Sequence, residues 1–173
     1  MTAIVIILLL LLVYAELIRP NLPRRDITPL MGVDYAHRGL WNTNDPGENN
    51  RPENSLAAFR AAVDKGYGIE LDVHLTKDGH LVVHHDDSLK RMTGVDKRIA
   101  DSTLEEVRAC KLPNGEAVPT YDEVLEIVAG RIPMIVEVKV EQGNYAPLAK
   151  AVYERMQRYD GPWCVESFSP NAV

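Results

Sequence analysis

Cysteine is scarce in this chain of 173 residues: only Cys110 and Cys164 are present, far apart and in no metal-like spacing. A disulfide framework and a thiolate zinc site are therefore excluded, and a single bridge is left open; two buried structural thiols are the simplest expectation. Aromatic residues make up 6% of the chain and are not interleaved with Lys or Arg, which excludes a single-strand stacking platform. Basic charge does not dominate either. The formal net charge of -6 lacks the positive face of a general nucleic-acid binder, so no nucleic-acid partner is expected. There is no internal repeat, and no low-complexity tract beyond the N-terminus. What is abundant is apolar residue, 46% of the total, enough for the core of one domain.

Charge is missing altogether from residues 1–15, and 4–13 are all aliphatic; Glu16 interrupts before Leu17 and Ile18. A spanning helix needs about 20 mostly apolar residues, so the segment is slightly short but usable. A cleaved signal peptide carries Lys or Arg ahead of its apolar run, and none stands here, although Val13-Tyr14-Ala15 fits a cleavage site. Arg19, Arg24 and Arg25 follow, and positive charge favours the cytoplasmic side. The reading is an anchor helix over 1–18, an exposed linker over 19–32, and a cytoplasmic domain over 33–173.

Strand-like runs over 33–36, 67–75, 81–85, 134–140 and 163–168 alternate with helical patterns over 55–66, 102–112, 121–129 and 147–159. Ser102 and Glu105 have the spacing of a capping box, and Pro170 is placed to open a further helix. Strands rich in Val, Ile and Leu alternating with helices indicate an α/β fold with a parallel sheet covered by helices. The pattern alone does not choose between an open doubly wound sheet and part of a barrel. Both architectures put their sites at the carboxyl ends of strands.

Four runs end in side chains suited to a phosphate ester: Tyr35-Ala36-His37-Arg38-Gly39, Ile69-Glu70-Leu71-Asp72-Val73, Leu81-Val82-Val83-His84-His85-Asp86 and Ile135-Val136-Glu137-Val138-Lys139. Glu70 and Asp72 leave one face of a strand, and Glu137 offers a third carboxylate. An all-oxygen set suits Mg²⁺ or Ca²⁺ better than zinc; salt bridges to Lys139 or Arg38 would satisfy the carboxylates equally well. His37 and His85 have the chemistry to take one proton and deliver another. Arg38 and Lys139 suit a phosphate or bridge to acidic neighbours. His74 shares the face of Glu70 and Asp72 or turns to solvent, His84 points away from His85, and His80 sits beside a turn. Asn54 or Ser55 caps the helix that follows, which leaves Glu53 unexplained.

Taken together these residues resemble the glycerophosphodiester phosphodiesterase family, in its membrane-anchored bacterial form. The likeness runs through Ala36-His37-Arg38-Gly39, Arg51-Pro52-Glu53-Asn54-Ser55, Glu70-Leu71-Asp72 and Thr76-Lys77-Asp78-Gly79. It continues through His85-Asp86-Asp87-Ser88-Leu89-Lys90-Arg91-Met92-Thr93-Gly94, Pro119-Thr120, Glu137-Val138-Lys139 and Ser167-Phe168. The resemblance implies a TIM-type (β/α)8 barrel, here incomplete with about five of eight units and C-terminally truncated. It also implies His37 and His85 as acid/base pair, and Glu70, Asp72 and Glu137 as holders of a divalent metal. Arg38 and Lys139 would contact phosphate, with Glu53 beside the site. The implied reaction hydrolyses glycerophosphodiesters such as glycerophosphocholine to glycerol phosphate and an alcohol, with water or the glycerol hydroxyl as nucleophile. Lysophospholipids as substrates, or non-catalytic binding of phosphorylated head groups at a membrane, are the alternatives.

Overall fold

Period-two alternation in the strands decides which face every polar side chain takes. The computed structural model describes residues 2–17, 26–43 and 50–172. Its strands are β1 (Tyr35–His37), β2 (Gly68–Leu75), β3 (Leu81–Val83), β4 (Met134–Val138) and β5 (Trp163–Glu166). Four of them run parallel, side by side in the order β1-β2-β4-β5. Among these strands the order never reverses. A doubly wound sheet reverses at its switch point, whereas consecutive barrel strands do not, so the order selects the TIM-barrel type.

One expectation is corrected here. The run ending in His85 does not add a fifth parallel strand; β3 pairs antiparallel with the end of β2, Val73 opposite Val83 and Leu75 opposite Leu81. The turn at Asp78-Gly79 is too short for a crossover, which needs a dozen or more residues. The hairpin folds the chain back, and the His84 N–H donates to the Asp72 carbonyl at 3.0 Å. His85 thereby returns to the level of Asp72 by a different route from the expected one.

The helices are α1 (Thr2–Leu17), α2 (Leu56–Asp64), α3 (Lys90–Thr93), α4 (Leu104–Ala109), α5 (Tyr121–Val128) and α6 (Tyr145–Met156). Ser55 caps α2 by accepting from the Ala58 N–H. The capping box of α4 is Thr103 with Glu106, one residue later than expected, and Thr120 with Glu123 builds another on α5. Residues 170–171 form a turn, not a helix. Phe59 and Ala62 of α2, Val124 and Val128 of α5, and Leu148 and Val152 of α6 bury against Ile69, Leu71, Val73, Met134, Val136 and Val138. The opposite sheet face is left to the other half of each strand. There His37 pairs in register with Glu70, Asp72 with Glu137, and Glu137 with Glu166. Cys110 is buried, Cys164 half-buried, and both are free thiols.

The apolar N-terminus does form a helix, and residues 4–16 of it are exposed. Its expected role as a membrane-spanning anchor is not met. Sixteen residues rise only about 24 Å, against a hydrocarbon thickness of about 30 Å. Among the described residues no helix is long and apolar enough to cross a membrane. Arg19, Arg24 and Arg25, much of the expected linker, and residues 44–49 of the loop after β1 lie outside the described residues.

Gly130 shows how tightly the layers close. It follows α5 with φ of +74°, and a Cβ there would stand 2.3 Å from the Asp160 carbonyl oxygen, backbone that has nowhere to go. Gly130→Ala is expected to lower the unfolding free energy by about 2 kcal/mol or more, measured by urea denaturation; an unchanged midpoint would contradict this packing.

Candidate active site

The turn after β1 opens the site. Arg38 and Gly39 both take left-handed backbone, φ 59° and 79°, and a Cβ on Gly39 would press to 3.0 Å from the Ala58 backbone in α2. This turn aims the Arg38 N–H at Glu70, donating to Oε2 at 3.0 Å. The Arg38 guanidinium donates from Nη1 to Glu53 Oε1 at 3.1 Å, and its Nε stands 3.6 Å from Asp72 Oδ2. Asn54 is not the helix cap. It is buried, at φ 54°, with its N–H on the Arg38 carbonyl and its side-chain amide donating to Asp72 Oδ2 at 2.7 Å.

Glu70, Asp72 and Glu137 are buried together, each offering an oxygen within 4.8 Å of the others. Burial first, and then the Asp72 charge, push the Glu70 carboxyl up to about 7. Burial also opposes ionisation of Asp72, but the Asn54 amide and Lys139 outweigh it and hold that carboxyl below its ordinary value. Lys139 Nζ lies 2.9 Å from Glu137 Oε1 and 3.0 Å from Asp72 Oδ1. Although burial works against it, Lys139 is held above its ordinary value by these two carboxylates. Glu70 Oε1 is buried without a partner. Such an oxygen, in a cluster of three carboxylates, fits a hard divalent cation, which takes oxygen donors.

Both imidazoles line the cleft. His37 is two-thirds exposed, its Nε2 3.9 Å from Glu70 Oε2. His85 is half-buried, with Nδ1 2.6 Å from Asp86 Oδ1. Asp86 is held far below the usual carboxylate range, chiefly by its hydrogen bond from Arg91. Glu53 is also lowered: burial raises it, but Arg91 and Arg38 prevail. A cleft of about 390 Å³ is lined by His37, Arg38, Glu70, His85, Glu137 and Lys139, with Glu166, Ser167 and Phe168 on the β5 side. Asp72 lies beneath it, fully buried, and Glu53 stands behind Arg38.

Several partners escaped the sequence reading. Asn54, Asp86 and Arg91 carry roles that only contacts reveal; Glu166 was findable from its register position on β5. His74 neither joins the cleft nor turns to solvent. It is buried, with Nδ1 2.7 Å from Glu141 Oε1 and Nε2 3.2 Å from the His85 carbonyl. His84 is buried too, its Nδ1 2.9 Å from the Asp86 carbonyl, and burial lowers its pKa. His80 is exposed, as expected.

Comparison with known proteins agrees with this geometry. Residues 37–163 match the glycerophosphoryl diester phosphodiesterase family. A glycerophosphodiester phosphodiesterase of Caldanaerobacter subterraneus is 40% identical over 116 residues, covering 62% of this chain and 44% of that protein. A human lysophospholipase D is 34% identical over 165 residues, 87% of this chain and 48% of its own length. The structure of an Oleispira antarctica phosphodiesterase in complex with the product sn-glycerol-3-phosphate superposes with a TM-score of 0.71 at 28% identity, over 81% of this chain and 59% of that one. The chain spans about half the length of the curated relatives it matches.

The raised Glu70 carboxyl has a measurable consequence for stability. Its folded pKa of about 7 exceeds the ordinary 4.5, so its contribution is full below pH 4.5 and is lost as pH rises through 7. In chelator, thermal melts are expected to show a loss of about 2–3 kcal/mol between pH 5 and pH 8, and Glu70→Gln should flatten it. A parent profile that is flat over this window would contradict the burial argument.

Proposed function

The chain belongs to the glycerophosphoryl diester phosphodiesterase family, and from that premise we propose that it carries the active site of a metal-dependent hydrolase of glycerophosphodiesters. The products would be glycerol phosphate and an alcohol; glycerophosphocholine is the substrate of choice for a first assay. One observation carries the reading: two imidazoles, two cationic side chains and three buried carboxylates converge on a single cleft. The product bound in the Oleispira antarctica relative supports the substrate class.

Glu70, Asp72 and Glu137 would hold Mg²⁺ or Ca²⁺, their clustered oxygens supplying donors. A bound cation supplies positive charge that stabilises negative charge developing on the phosphate oxygens. The remaining work falls to the chain's own side chains. Arg38 presents a guanidinium able to engage two phosphate oxygens at once. Lys139 neutralises Asp72 and Glu137 until the site fills, then turns its ammonium to the phosphate. Asp86 holds His85 Nδ1–H, which leaves Nε2 with its lone pair free to accept a proton. His37, which also lines the cleft, serves the complementary transfer, so that one imidazole takes a proton while the other delivers one.

His85→Ala and His37→Ala are each expected to lower turnover of glycerophosphocholine by about a hundredfold or more while glycerol phosphate binding, followed by calorimetry, changes little. Asp72→Asn should weaken Mg²⁺ or Ca²⁺ binding and activity together. Turnover that persists in chelator, or a His85→Ala protein at the parent rate, would remove this mechanism. A parallel assay on lysophosphatidylcholine tests the lysophospholipid class that the human relative's name indicates.

A further inference from the structure

Arg91 touches none of the cleft's surface, yet it joins the two groups that hold His85 and Arg38. It lies on the single turn α3, whose position is set by its neighbours. Leu89 is fully buried in a second apolar cluster with Val82, Ile99 and Val107, and its N–H donates to the Lys97 carbonyl at 2.9 Å. From that fixed turn Arg91 reaches back toward the site. Its Nε donates to Asp86 Oδ2 at 2.6 Å and its Nη2 to Asp86 Oδ1 at 3.1 Å, a two-pronged grip. The same Nη2 donates to Glu53 Oε1 at 2.6 Å. Asp86 in turn holds His85 Nδ1, and Glu53 accepts from Arg38 Nη1 at 3.1 Å on that same oxygen. One guanidinium thus closes an ionic chain that runs His85, Asp86, Arg91, Glu53, Arg38.

We infer that Arg91 is a positioning residue that sets the ring of His85 and the guanidinium of Arg38 together, through Asp86 and Glu53. This rests on the reading of the cleft as a hydrolase site. The physical reason is competition for carboxylate lone pairs. Without Arg91, Asp86 loses both prongs that fix its plane, and its grip on the imidazole Nδ1–H slackens. Glu53 is then left with Arg38 as its one cation among the described residues and draws that guanidinium away from the cleft and from Asp72, 3.6 Å from its Nε. The contribution to folding is small by comparison. Arg91 is 45% exposed, and ion pairs of that exposure add little to stability even where their geometry is good. A lysine cannot replace it, because one ammonium does not reproduce a planar fork that meets two carboxylates in fixed directions.

The test is Arg91→Gln in the full chain, followed by ¹⁵N spectra of the histidine rings, with His85 assigned from His85→Ala. The parent should show His85 protonated at Nδ1; the variant should show a mixture of tautomers. Affinity for sn-glycerol 3-phosphate should fall severalfold through Arg38, and kcat should drop by about tenfold or more, while the melting temperature stays within a few degrees. Adding Arg91→Gln to Asp86→Asn should change the His85 signals little, since the route between them is already cut. Parent-like ring signals and parent-like affinity in Arg91→Gln would overturn the assignment. Should that protein fail to fold, Arg91→Lys keeps the charge and carries the same expectation, and parent-like spectra there would overturn it equally. If the parent itself hydrolyses no glycerophosphodiester, the proposed activity fails alone; the ring signals and the affinity still decide the role of Arg91.

Discussion

Three carboxylates buried on one sheet face impose the condition that the rest of this site answers. Each ionised carboxylate taken out of water costs several kcal/mol unless a cation or hydrogen-bond donors compensate. Asp72 is fully buried, and Glu70 and Glu137 nearly so. Donors are therefore brought in from everywhere at once: the Arg38 backbone for Glu70, the Asn54 amide for Asp72, and Lys139 for Asp72 and Glu137. Even so, Glu70 Oε1 remains buried without a hydrogen-bond partner. A folded chain tolerates such a deficit where something else is meant to bind, and a carboxylate oxygen is a hard donor.

Backbone strain sits where this condition is strongest. Arg38 and Asn54 are non-glycine residues in the left-handed region, flanking the triad, and each is tied down from both sides. The Asn54 N–H bonds the Arg38 carbonyl, while the Arg38 N–H bonds Glu70 and the Asn54 side chain bonds Asp72. Strain of this kind costs on the order of 1 kcal/mol or more per residue and persists only where the surroundings over-determine it. Two strained residues cross-linked through the same carboxylates form a preorganised cradle, in which donors already point where negative charge must be held. The two imidazoles are built on looser ground. His85 rides on a hairpin return and is oriented by Asp86 and by its carbonyl contact to His74, whereas His37, on the exposed end of β1, has only Glu70 near its ring at 3.9 Å among the described residues.

Much of this was legible from residue types alone. Glu70 and Asp72 share a face because a strand alternates, and no tertiary fact is needed to see it. Glu137 and His37 were findable for the same reason, each near the end of an apolar run. Roles that depend on turn geometry were not. Asn54 precedes a helix and so invites a capping reading, until the backbone places it under Asp72 and leaves the cap to Ser55. Periodicity describes an apolar run but not the direction of its neighbour, which is why β3 was read as parallel. Apolar length alone gave the N-terminal helix its place, while its role as a membrane span finds no support among the described residues.

The chain's own letters determined an α/β pattern, the alternation that separates an apolar from an acidic sheet face, and the list of groups able to bind and protonate a phosphodiester. Local chemistry sufficed for these, because strand period and side-chain type belong to single segments. Strand order, the antiparallel return of β3, the seating of Lys139 between two carboxylates and the chain from His85 to Arg38 were decided only in three dimensions. Each joins residues separated by tens of positions, and which long-range pairs meet is set by packing the whole sheet against its helices, not by any one stretch of sequence.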